Sequence, residues 1–567
     1  MTDGGAEDSR TWLERLAAFE ALLPRGRERL PLVIAWVAGI AALLALVQRF
    51  RYATDLTDET FSIAMPYRFA LGDKPFVDEI AIQQTAGIVL FPFVWLFVKL
   101  TGGGTGIVLY VRLVHLFVFK GAAALSVHAA ARRLLANRAV AVAVAFVPFA
   151  FVPHSIPNVG YNVVGMSMLT AGSFLTVAGM AEIGAKRRRR LFFLAGLAHG
   201  IMAFAYPPMA VAAVIATPLV LLLTPEGRWS ALLAFVAGGA LAVLLLTPSL
   251  LFGGVAGVKH SLGWGVHANA THDAARTKAV LEAFWKNLPW FFPYALAAVV
   301  AGAVVRSRTL VAVLIPAITL ALTFWFRDDW ATVHAAIRTV TYTGAFAPLL
   351  ALLAKPDGQL VRAVLLVFIP AAAAALAASV VSTQGVDAAS LGLASSMTLF
   401  ALLAGRALEG ARAEVTYCLL PALALIVALV TRCYDFVYRD SPIAHLTQPV
   451  LEGPFKGIRT TPERAQIFAE MSQIARAYDR PDGRVLFLWE ASGYYLFFRK
   501  SRPSAHSVWE EHYGDLDGLL DYWQRHANGH GIVVKNKATP PTRIDSVLMP
   551  PERKIRETRH FVVYADR

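Results

Sequence analysis

Between Asp55 and Glu79 the chain carries five carboxylates, Asp55, Asp58, Glu59, Asp78 and Glu79, directly after its first long apolar segment. A carboxylate can take a proton from a reacting hydroxyl or help to hold a cation. Moving a charge to the centre of a bilayer costs roughly 2.5 to 3.5 kcal/mol even on the mildest scale. In so hydrophobic a chain, an acid cluster must therefore sit at an interface or in a wet cavity. It is the first candidate for an active site.

The elements that must position these acids are membrane helices. Of the 567 residues 56% are hydrophobic and only 16% charged, which excludes a string of ordinary soluble domains. A helix crossing about 30 Å of hydrocarbon needs roughly 20 apolar residues, and such stretches recur up to residue 432, where the composition turns soluble. The net charge of +14 does not indicate nucleic acid, because the basic residues gather in short loops between apolar stretches. Cys418 and Cys433 offer neither metal-ligand spacing nor a disulfide framework.

Topology follows from parity. Residues 1 to 30 show Trp12, Leu13, Leu16, Phe19 and Leu23 at helical spacing, followed by Arg25, Arg27 and Arg29, which predicts a cytoplasmic interfacial helix. The strongest basic cluster, Lys186 to Arg190, belongs on the same side. The apolar stretches 31–48, 84–100, 107–130, 138–153 and 163–183 lie between, and an odd number of crossings would separate the two clusters. The stretch 84–100 follows the acids and contains Pro92, so it is the one expected not to cross; with 58–72 it forms a pair of juxtamembrane helices in the first outer loop. The expected fold is a polytopic α-helical membrane protein with about 13 transmembrane helices across residues 31–431. The acids and a small extracytoplasmic α/β domain, 432–567, then share the outer side. In that domain Thr460-Thr461-Pro462-Glu463 starts a helix running to Tyr478, residues 484–489, 494–498, 531–535 and 560–564 read as strands, and 516–526 as a helix.

The run Asp58-Glu59, an apolar amphipathic helix, Gly72, then Pro75-Phe76-Val77-Asp78 resembles bacterial membrane glycosyltransferases of the GT-C superfamily. Lipid A aminoarabinose transferases and protein O-mannosyltransferases belong to that superfamily. The resemblance covers roughly residues 30–250 by pattern. It implies transfer of a sugar from a polyprenyl-phosphate donor to an envelope glycan, lipid or protein acceptor, at the outer face of a bacterial cell (inner) membrane. Asp58 then matches the catalytic carboxylate, with Asp55 as runner-up and Glu59 beside it. Phe61 and Gln83-Gln84 stand where some relatives carry basic residues, so the phosphate ligands come from elsewhere. The loop 153–162 lacks the acid of metal-using relatives, so no cofactor is assigned and a divalent metal finds no support there.

The chemistry such a donor asks of a protein is modest. A phosphate, whose second pKa lies near 6, leaves without a protein acid. A base for the acceptor hydroxyl and a cation for the departing phosphate remain, and direct displacement inverts the anomeric centre. Arg338 is the first choice for the phosphate, with His334 on the same helix face and Tyr342 one turn on. Lys259 and His260 lie in the loop 252–289; Asp78 and Glu79 are candidates for orienting the acceptor, and Tyr161, Asn158 and His154 for lining a sugar pocket. Arg112, His115 and Lys120, inside a span, either face the carrier cavity or pair structurally. Two other functions compete: a glycan polymerase or ligase with a diphosphate-linked donor, relying on the Lys259–His260 loop, and a non-enzymatic carrier transporter, for which the acids are dispensable.

Overall fold

The computed structural model describes residues 29–268, 274–287, 317, 319, 333–353, 357–382, 384–410, 412–488, 492–508 and 516–567. Long apolar runs become helices: α1 (Arg29–Arg49), α2 (Phe61–Ala70), α3 (Gln84–Thr101), α4 (Ile107–Leu134), α5 (Arg138–Ala150), α6 (Tyr161–Met180), α7 (Ala185–Ala205), α8 (Ala210–Leu223), α9 (Arg228–Leu246), α10 (Gly254–Ala268) and α11 (Ala274–Asn287). They continue with α12 (Val333–Leu353), α13 (Gly358–Val381), α14 (Ala389–Gly410) and α15 (Val415–Asp435). Among the described residues eight helices are long and apolar enough to cross a membrane. The chain is a multi-pass membrane protein. α6 and α14 are buried almost all round and sit at the centre of the bundle, whereas α1 and α9 leave Val37, Leu44, Leu233 and Leu244 uncovered, as helices facing lipid do. The spans expected at 290–305 and 309–326, and the interfacial helix expected before residue 29, lie outside the described residues.

α3 is long and apolar enough to cross, yet both its ends touch the same carboxy-terminal unit. Before it, the Ile80 amide donates to the His506 carbonyl (3.0 Å) and the Val508 amide to Glu79 Oε2 (3.0 Å). After it, the Gly106 amide donates to the Gly453 carbonyl (3.0 Å). A crossing helix has its ends about 30 Å apart on opposite faces of the membrane. α3 therefore runs along the base of that unit. α2 packs against it and is tied to the same unit by Arg68, which pairs with Asp73 (2.8 Å) and donates to the carbonyls of Phe498 (3.2 Å) and Ser501 (3.0 Å).

Beyond α15 a short tether leads to an antiparallel pair, β1 (Gln448–Pro449) and β2 (Arg459–Thr460), and then to α16 (Pro462–Tyr478). Thr461 caps α16 by accepting from the Arg464 amide (3.2 Å), with Pro462 in the first turn as the sequence predicts. A five-stranded sheet follows, with β3 (Arg484–Leu488), β4 (Arg502–Pro503), β5 (Ile532–Asn536), β6 (Lys554–Glu557) and β7 (Phe561–Ala565) in the order β4-β3-β5-β7-β6. β3 runs parallel to β4 and β5, while β7 is antiparallel to its neighbours, and α17 (Leu516–His526) packs alongside. One expectation fails. Residues 494–498 are not a strand: 494–497 belong to a 3-10 segment, Ser492–Phe497, and 498 follows it without regular structure. Its Gly493 amide donates to the Leu56 carbonyl (3.1 Å), so this run docks on the acid loop instead of joining the sheet. One hydrophobic core runs through Phe61 and Tyr67 of α2, Ile88 of α3, Phe455, Phe468 of α16, Phe487 of β3 and Val563 of β7, which fixes the α/β unit on the juxtamembrane pair.

Candidate active site

The acid loop between α1 and α2 is built around a buried cation. Arg112 of α4 grips both oxygens of Glu59 (2.6 and 2.7 Å) and donates to the carbonyls of Phe50 (2.6 Å), Ala53 (2.8 Å) and Tyr52 (3.2 Å). Both partners are buried. Of the two roles open to Arg112, it takes the structural one. The catalytic role expected for Glu59 is corrected for the same reason: neither of its oxygens is available. Asp55 is turned inward too, accepting from Thr57 Oγ1 (2.8 Å), the Thr57 amide (3.2 Å) and the Glu59 amide (2.8 Å). That is an Asx turn, and burial, with the nearby charge of Asp58, pushes the Asp55 carboxyl up to about 6.

Asp58 is the acid left open. Its side chain is one-fifth exposed (20%). Oδ2 accepts from the Tyr438 hydroxyl (2.5 Å) and lies 3.5 Å from the Arg439 guanidinium. Among the described residues Oδ1 has no hydrogen bond. Burial and the Asp58 charge hold the Tyr438 phenol well above its ordinary range, so it remains a donor. Arg439 also donates to Thr57 Oγ1 (2.5 Å) and lies over the Tyr438 ring (5.2 Å).

A second wall comes from the turn between α5 and α6. His154 and Ser155 both have positive φ (55° and 56°), a conformation costing roughly 1 to 2 kcal/mol for each non-glycine residue and found mostly where function requires it. The His154 ring is buried and, among the described residues, its Nε2 has no partner. Burial holds it down to about 4, against the pull of the Asp387 and Asp58 carboxylates, so it is neutral at ordinary pH. Asn158 does not line a pocket; its Nδ2 donates to the carbonyls of Glu59 (2.7 Å) and Asp58 (3.2 Å) and to Ser62 Oγ (2.5 Å), which fixes the backbone under Asp58. Tyr161, within electrostatic reach of Asp58, packs on Tyr206 (4.9 Å) and Phe61 (6.4 Å).

The third wall is the start of α12. His334 Nδ1 lies 2.9 Å from Asp387 Oδ2, in the turn before α14. Tyr342, two turns on, is in the field of both Arg338 and Asp387. His154 feels Asp58, Asp387 and His334 together, so the acid loop, the α5–α6 turn and the start of α12 lie within electrostatic reach of one another.

Four of the expected residues fall elsewhere. Asp78 caps its own turn, accepting from the Lys74 amide (2.7 Å). Glu79 is buried, with Oε1 on the Ala81 amide (2.9 Å) and Oε2 on the Val508 amide (3.0 Å), and burial pushes its carboxyl up to about 7. Gln84 braces the same turn through the Phe76 amide (2.8 Å) and the Glu79 carbonyl (2.9 Å). Lys259 and His260 are exposed on α10, with the His260 ring 6.4 Å from that of His506. These four do not join Asp58: the turn at Pro75–Glu79 holds Asp78 and Glu79 beside the Val508 end of the α/β unit, and Lys259 and His260 belong to α10. Lys120 is spent on the Phe151 carbonyl (2.6 Å), and the His115 ring packs on Phe50 (5.3 Å). Among the described residues no group of three or more His, Cys, Asp or Glu is gathered as metal ligands.

Sequence reasoning missed Tyr438, Arg439 and Asp387. A polar Tyr-Arg-Asp run emerging directly from the last membrane helix was the signal available for the first two.

No protein-family model and no curated protein matches the chain. Among solved structures it is similar to an Archaeoglobus fulgidus oligosaccharyltransferase in complex with zinc and sulfate, with 13% identity over 88% of this chain and 68% of that one and a TM-score of 0.47. It is also similar to ArnT from Cupriavidus metallidurans bound to undecaprenyl phosphate, with 13% identity over 95% and 97% and a TM-score of 0.43. The residues of the pocket carry the functional reading.

Proposed function

We propose that the chain is a glycosyltransferase that moves a sugar from a polyprenyl-phosphate carrier to an envelope glycan, lipid or protein, with its pocket on the outer side of a bacterial cell membrane. The observation that carries this reading is Asp58. Among the five acids it is the partly exposed one that has a guanidinium and a phenol beside it and keeps Oδ1 unbonded among the described residues. The pocket stands at the domain end of the membrane helices, where a lipid-borne headgroup can reach it.

In the proposed reaction Asp58 Oδ1 takes the proton of an acceptor hydroxyl while that oxygen forms a bond to the anomeric carbon. The bond from this carbon to the phosphate oxygen breaks, and its electron pair leaves on the phosphate. Attack and departure on opposite faces invert the centre. Tyr438 holds the carboxylate in orientation. Arg338 and Arg439 are the guanidinium groups at hand for the phosphate, and guanidinium suits bidentate phosphate recognition. The Lys259–His260 pair that a diphosphate-linked polymerase or ligase would use sits with Glu79, which disfavours that alternative.

Replacing the base tests the reading. Asp58→Asn in purified protein, given polyprenyl-phosphate sugars and envelope acceptors, is expected to lower transfer about 100- to 10,000-fold with the melting temperature retained. Undiminished turnover would remove Asp58 from the chemistry, and dispensability of Asp58 for glycan synthesis in cells would favour a transporter or scaffold.

A further inference from the structure

The groups that meet Asp58 come from the tether between α15 and β1, and that tether is locked to the acid loop. Arg464, in the first turn of α16, pairs with Asp440 (3.3 Å) and donates to the carbonyls of Arg439 (3.4 Å) and Thr54. Asp440 Oδ2 in turn accepts from the Thr54 amide (2.9 Å). Arg439 itself has a left-handed backbone (φ 48°), a conformation that persists in a non-glycine residue only where its surroundings enforce it. The backbone is thus fixed while the side chain remains 37% exposed at the mouth of the pocket.

The hold of Arg439 on Asp58 is loose. One nitrogen approaches one oxygen at 3.5 Å, against the 2.7–2.9 Å and paired geometry of a strong guanidinium–carboxylate contact. Arg112 on Glu59, at 2.6 and 2.7 Å and fully buried, shows what a permanent pair looks like in the same loop. A phosphate offers the guanidinium a bidentate, doubly charge-assisted alternative.

We propose that Arg439 exchanges partners, resting against Asp58 Oδ2 in the free enzyme and moving to the carrier phosphate when the donor binds. This rests on the reading of Asp58 as the base of a polyprenyl-phosphate-dependent transfer. The exchange supplies from position 439 a cation of the kind that Phe61 and Gln83-Gln84 cannot provide.

The test needs no knowledge of the sugar. Farnesyl phosphate, a short polyprenyl phosphate, is titrated into the purified full-length protein and its variants, with thermal melting as the folding control. Arg439→Gln is expected to weaken binding about tenfold to a hundredfold, the range for losing a charge-assisted contact, and Arg439→Lys to weaken it less. Asp58→Asn removes the competing carboxylate and is expected to tighten binding about two- to fivefold, a gain that misfolding cannot mimic. Unchanged affinity in Arg439→Gln, or weaker affinity in Asp58→Asn, overturns the exchange. If Asp58→Asn has lost transfer while Arg439→Gln binds normally, the exchange falls and the base stands. Full transfer by Asp58→Asn, or no binding by the wild type, brings down the functional reading and the exchange with it.

Discussion

The two ends of the stretch from Asp55 to Glu79 use the same side-chain chemistry for opposite purposes. At the Glu79 end a carboxylate is enclosed, its oxygens taken by the amides of Ala81 and Val508. At the Asp58 end a carboxylate meets a phenol and, at 3.5 Å, a guanidinium, and among the described residues keeps one oxygen unbonded. Both ends touch the α/β unit. The number of donors supplied to each carboxylate, more than the residue type, separates a fastener from a reactive group.

The largest expected effect comes from breaking the fastener beneath the Asp58 end. Glu59→Gln leaves the Arg112 charge buried without a counter-ion, which costs about 3 to 5 kcal/mol. Purified protein should melt markedly earlier and lose activity with its fold. A variant that melts like wild type yet transfers nothing would return Glu59 to the chemistry and blur the contrast.

Titration sharpens it next. Glu79 has a folded value raised to about 7 from 4.5, so it binds more protons folded than unfolded between those limits. Its contribution to stability is present below about 4.5 and is lost as pH rises through about 7. His154 has the opposite sign. Held down to about 4 from 6.5, it contributes fully above 6.5 and loses that contribution as pH falls through about 4. Glu79→Gln should therefore flatten the fall in melting temperature as pH rises from about 5 to 7.5, leaving the decline at acid pH in place. A wild-type-like pH profile for this variant would mean that Glu79 is not the group that titrates. The smallest effect is expected for Asp78→Asn, since a half-buried turn contact is worth about 1 kcal/mol. Its transfer rate should stay within about twofold of wild type, and a tenfold loss would place the Glu79 end inside the site.

Much of this architecture was legible beforehand. Apolar length marked the helices, and the Thr461-Pro462 start of α16 was written in four residues. Which acid stays open was not, because that depends on Arg112 and Asn158, which reach the loop from α4 and from the turn before α6. Tyr438 and Arg439 lie some 380 positions from Asp58, beyond any local pattern. Residues 494–498 looked like a strand because an apolar run is ambiguous by itself; contact with Leu56 decided its shape.

The order in which the pocket is assembled has a bearing on biosynthesis. When the ribosome has delivered the chain as far as Asp435, α1 through α15 have all been made, yet the phenol and guanidinium that flank Asp58 are still to come. Their seating then waits on Arg464, twenty-five residues later. Until then Asp58 has neither the phenol that orients its carboxylate nor the guanidinium beside it.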